Sequence, residues 1–128
     1  MKYTSITENH LFSKAYAKGK KYVGRLIVVY VLKDYAAERL MRANPEKKYF
    51  NRTGISVSKK VGGAVVRSRV RRIIREGYRA AQTERKIRTG NLIVIGARSA
   101  SVNAKSTDIA KEFAAAFDAL ELTVGEKR

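Results

Sequence analysis

Cysteine is absent from the 128 residues, and histidine and proline occur once each. Without thiols, a disulfide scaffold, a cysteine nucleophile and a zinc finger or ribbon are all excluded, while a reducing compartment is compatible with such a chain. The lone His10 cannot assemble a two-histidine nuclease site. Acids are scarce too: 11 Asp and Glu stand against 28 Lys and Arg. Asp34, Asp108 and Asp118 are scattered and most glutamates lie beside basic residues, so no metal site on the protein is expected and no residue receives a catalytic role. The longest strongly apolar run, Leu26 to Leu32, is too short to cross a bilayer, and the first residues lack the apolar core of a signal peptide. A cytoplasmic protein with no membrane partner is the expectation.

What is abundant is positive charge, a net +17. Charge of that size opposes compaction by self-repulsion and is most easily understood if a polyanion neutralises it, with nucleic acid the leading class. An apolar fraction of 45% argues against a fully disordered chain. The length fits one domain with a modest core. Residues 1–122 are read as a single α+β domain that binds nucleic acid and 123–128 as a disordered tail.

Periodicity supplies the elements. Leu11, Phe12, Ala15 and Tyr16 carry helical spacing, starting near Thr7 and stopping at Gly19. Leu26 to Leu32 and Gly54-Ile-Ser-Val-Ser58 read as strands, with a short extra strand near Lys21 to Val23. Lys33 to Arg52, with Pro45, is a connection that has room for a short helix at Ala36 to Arg42. From Ala64 to Ala81 the residues Val66, Val70, Ile73, Ile74 and Ala81 recur at helical spacing, with Gly77 on the same side. Leu92 to Ile95 is a strand, and Ile109, Phe113, Phe117 and Leu120 mark a closing helix. The expectation is an α+β domain with one sheet covered on one face by helices.

Between Lys59 and Arg79 eight basic residues stand against one acid, Glu76. At about 100° per residue, Ser68, Arg71, Arg72, Arg75 and Arg79 form one stripe opposite Val66, Val70 and Ile73, with Arg67 and Arg69 flanking it. A merely solvated face usually mixes signs, so this pattern favours phosphate binding over a soluble basic face. Ahead of it, Lys59-Lys60-Val61-Gly62-Gly63 allows backbone approach to a phosphate, or simply a turn out of the strand. The GxxxxGK[ST] loop of nucleotide hydrolysis is missing. Phe12 and Tyr16 share a helix face, and Tyr30 falls with Val28 and Leu26 on one strand face. Such rings can stack on unpaired bases, although packing in the core is their ordinary role.

The run Ser58-Lys-Lys-Val-Gly-Gly-Ala-Val-Val-Arg-Ser-Arg-Val-Arg-Arg-Ile-Ile-Arg-Glu76 resembles the arginine-rich signature of the bacterial ribonuclease P protein family. The likeness extends to Phe12-x-x-x-Tyr16 ending at Gly19, to the strand with Tyr30, and to the final strand and helix. The resemblance implies a four-stranded mixed sheet in the order α-β-β-β-α-β-α, of split β-α-β type with a left-handed crossover, where the general rule is right-handed. It implies a subunit of an endoribonuclease holoenzyme in which a catalytic RNA, using Mg2+ bound mainly by that RNA, removes the 5′ leader of precursor tRNA. It also assigns Lys59, Lys60, Arg67, Arg69, Arg71, Arg72 and Arg75 to the catalytic RNA, and Phe12, Tyr16 and Tyr30 to a cleft holding the leader. No protein partner is required. Where the family usually has asparagine, this chain has Gly63 and Ser68. The alternatives are a structural RNA-binding protein of ribosomal type, a DNA-compacting protein and a protein-only nuclease.

Overall fold

The computed structural model describes residues 4–5, 9–33, 52–84 and 91–122. In chain order they form β1 (Thr4–Ser5), α1 (Asn9–Lys18), β2 (Lys20–Val23), β3 (Ile27–Lys33), β4 (Arg52–Ser56), α2 (Ala64–Glu84), β5 (Asn91–Ala97), a 3₁₀ turn (Ser99–Asn103) and α3 (Ser106–Ala119). Thr7, the short helix expected at Ala36 to Arg42 with residues 34–51 of the connection, and the tail from Thr123 lie outside the described residues, while Lys33 and Arg52 at the ends of that connection belong to β3 and β4.

The sheet order is β1-β4-β5-β3-β2. Strands β2 to β5 are the expected mixed four-stranded sheet, with β3 antiparallel to both β2 and β5, and β4 parallel to β5. The parallel pair is joined through α2, the connection that a split β-α-β unit requires. The two residues of β1 add a parallel edge beside β4; a segment so short carries no periodicity to read.

Helices cover both sheet faces, not one. On the first face Ile27, Val29 and Val31 of β3 and Ile93 and Ile95 of β5 pack with Val70, Ile73, Ile74 and Tyr78 of α2 and Ile109, Phe113 and Phe117 of α3. On the second, Leu92 and Val94 pack with Ala15 of α1, joined by Phe12, Tyr30 and Leu32. Successive strand residues point to opposite faces, so a strand covered on both sides is apolar throughout. That is why β3 lacks polar alternation and why the sequence pattern left the second layer unseen. Leu26 also differs from expectation: it precedes the strand and joins the first core, leaving Tyr30 with Leu32.

Gly77 sets the approach of α2 to α3. A Cβ there would lie 2.7 Å from Ile109 Cγ2, so only glycine lets the helices meet this closely. Beside it Tyr78 packs edge-on against Phe113 at 5.4 Å and Phe117 at 6.0 Å, contacts each worth about 0.5–1.5 kcal/mol beyond burial.

Candidate nucleic-acid interfaces

The first candidate surface is the outer face of α2. Burying Val70, Ile73, Ile74, Tyr78 and Ala81 against the first core turns Ser68, Arg72 and Arg79 to solvent, with Arg71 and Arg75 half-buried at the margin. The helix therefore presents the charged stripe that its periodicity predicts. Lys59 and Lys60 are exposed in the turn before it, closed by the Val61 N–H donating to the Ser58 carbonyl at 3.1 Å.

The two flanking arginines are engaged with main chain. Arg67 Nε–H donates to the Gly62 carbonyl at 3.1 Å, tying the loop to the helix it precedes. Arg69 donates from Nη1 to the Val102 carbonyl at 2.9 Å and from Nη2 to the Ala104 carbonyl at 3.1 Å. Periodicity placed Arg69 beside the stripe but could not show these acceptors, which belong to a turn more than thirty residues away. Gly63 is exposed, and a Cβ there would meet nothing within 4 Å. An open groove of about 580 Å³ runs along this face, lined by Ala64, Val65, Ser68, Arg69 and Arg72. Val65 is 84% exposed within it.

The second candidate surface lies across the sheet, between α1 and the strands. Gly54 of β4, Val94 of β5, Tyr30 of β3 and Lys21 of β2 are successive register partners and so share one face. The Phe12 ring lies directly over Gly54, in the space a Cβ would take. Tyr16 meets Tyr30 edge-on, centroids 4.9 Å apart and planes at 77°. Tyr16 remains 44% exposed while Phe12 and Tyr30 are half-buried, so the three form a wall with an accessible rim. Exposed Lys21 beside Tyr30 and half-buried Arg52, opposite Leu92, add cations to this face. Period-two alternation in β2 would have singled out Lys21, had the strand been read as the neighbour of the one carrying Tyr30.

Among the described residues no group of three His, Cys, Asp or Glu is placed to hold a metal ion, and no helix is long and apolar enough to cross a membrane. An arginine stripe behind the sheet and an aromatic wall in front define a cationic α+β protein whose charge and exposed rings are of the kind that nucleic-acid-binding proteins carry.

Comparisons with known proteins agree with that class. The model of the Ribonuclease P family matches residues 1–121. The chain is 38% identical over 128 residues to the ribonuclease P protein component of Clostridium acetobutylicum, spanning all of this chain and 98% of that one. It is 42% identical over 100 residues to the component from Clostridioides difficile, covering 78% and 76% of the two chains. Among solved structures, the Staphylococcus aureus RNase P protein superimposes with a TM-score of 0.69 at 27% identity, covering 96% of this chain and all of that one. The chain belongs to the ribonuclease P protein family, and by that membership it is a protein component of an endoribonuclease holoenzyme with an RNA partner.

Proposed function

We propose that this chain assists removal of the 5′ leader from precursor tRNA by holding two RNA strands at once. The arginine stripe of α2, with Lys59 and Lys60, binds the catalytic RNA, and the trough beside Phe12, Tyr16 and Tyr30 binds the leader. The observation that carries this reading is the separation of the two surfaces: the arginines stand outside the layer packed on one sheet face, and the accessible tyrosine pair stands on the other.

Each surface suits its strand. Arginines following one another at neighbouring turns neutralise phosphates and screen their repulsion where two RNAs approach. An exposed ring braced by a second ring offers a base a stacking surface already fixed in orientation, with no need for sequence-specific hydrogen bonds. Precursor, which carries a leader, then binds more tightly than mature tRNA, which lacks one.

Chemistry is assigned to the RNA partner. Mg2+ would serve hydrolysis there by stabilising charge on the reacting phosphate, and the described residues of this chain offer no donor cluster for such an ion. The protein's part is binding, orientation and charge screening. Nothing in the comparisons favours a ribosomal-type role.

The test is cleavage of precursor tRNA at low magnesium by the cognate catalytic RNA with and without this protein. Faster cleavage with the protein is expected, and an unchanged rate contradicts the proposal. Cleavage by the purified protein free of RNA contradicts it from the other side.

A further inference from the structure

The bonds made by Arg69 change the outline of the RNA-facing surface. Its guanidinium spans the carbonyls of Val102 and Ala104, which lie on either side of Asn103. Two of its five N–H donors are thereby committed to main chain. The turn it grips is itself firmly closed: buried Ser101 donates from both its backbone N–H (2.9 Å) and its hydroxyl (2.6 Å) to the Arg98 carbonyl, and Ala104 N–H donates to the Ser101 carbonyl at 3.1 Å. Arg69 is at the same time a wall of the open groove on α2, so one side chain both lines the groove and holds the turn. The side chains of Asn103 and Lys105, the residues beside the gripped carbonyls, are exposed.

We propose that the surface meeting the catalytic RNA extends from α2 onto the 3₁₀ turn, that Asn103 and Lys105 contact the RNA backbone there, and that Arg69 is the positioning residue that joins the two segments. The inference rests on the reading that α2 faces the catalytic RNA. The chemistry fits one strand crossing from helix to turn: an ammonium for a phosphate, and an amide that both donates and accepts for a phosphate or a ribose hydroxyl. It also gives Arg69 a role distinct from that of Arg72, whose exposed guanidinium meets phosphate without a main-chain tether among the described residues.

The chain contains no cysteine, so a single introduced thiol can carry an iron–EDTA tether without background. Ala64→Cys marks the groove and Asn103→Cys marks the turn, each in the full chain assembled with its cognate catalytic RNA. Hydroxyl-radical cleavage of that RNA is expected from both positions, at the same or neighbouring nucleotides. In the Asn103→Cys background, adding Arg69→Met is expected to weaken the cleavage at least threefold, while cleavage from Ala64→Cys persists. Cleavage from Ala64→Cys with none from Asn103→Cys overturns the extension of the surface and leaves the reading of α2 intact. Silence from both positions overturns that reading and the inference with it. Patterns indifferent to Arg69→Met overturn the positioning role.

Discussion

Glu112 of α3 and Leu26, eighty-six residues apart in sequence, are joined directly: the Leu26 N–H donates to the Glu112 carboxylate at 2.9 Å (Oε2) and 3.1 Å (Oε1). The Ile27 N–H donates to the same Oε1 at 3.1 Å. Arg98 completes the clamp, its backbone N–H donating to the Leu26 carbonyl at 2.9 Å and its Nη1 to the Gly24 carbonyl at 2.8 Å. The turn between β2 and β3 is thus pinned to the last helix, which fixes the hairpin carrying Lys21 and Tyr30.

Glu112→Ala leaves those two N–H groups without their acceptor. A loss of about 1–3 kcal/mol in unfolding free energy is expected, with Glu112→Gln, which keeps a carbonyl acceptor, losing less. Urea unfolding of the three proteins checks the order; a Glu112→Ala variant as stable as the parent contradicts the clamp.

Gly77→Ala offers a test whose sign is informative. In an exposed helix the change is favourable by roughly 1 kcal/mol. Here the new methyl would press on Ile109 at 2.7 Å, so a net loss of about 1–3 kcal/mol is expected as α2 and α3 are forced apart. A higher denaturation midpoint would show that the packing is looser than described.

The arginine stripe predicts a strong response to salt. If about six phosphates are neutralised, log affinity for the catalytic RNA falls with log salt at a slope on the order of −4 to −5. Removing one phosphate contact with Arg72→Ala should weaken assembly and reduce the steepness by about one. Arg71→Ala and Arg75→Ala should also weaken it. A slope near zero contradicts the electrostatic account.

Much of this was legible in the residues because local periodicity reports local burial. Val70, Ile73, Ile74 and Gly77 mark the inner side of α2, which makes the outward stripe a necessity once the helix forms. Three features had no such signal. The second layer was hidden because β3 is apolar on both sides and shows no alternation. The acceptors of Arg69 and the partners of Glu112 lie far away in sequence, and spacing along one helix cannot name them. The edge strand β1 was too short to carry a pattern. Phe12, Tyr16 and Tyr30 fell between these cases: their positions are plain in the chain, but only the sheet register and the glycine beneath Phe12 bring them to one wall.

The account stands most directly on binding of precursor and mature tRNA by holoenzyme assembled with Tyr16→Ala or with Tyr30→Ala. Loss of one base-stacking surface is worth about 1–3 kcal/mol, so precursor affinity should fall by that amount while mature tRNA, lacking a leader, is held as before. Equal losses for the two RNAs would contradict a leader trough beside the tyrosine pair.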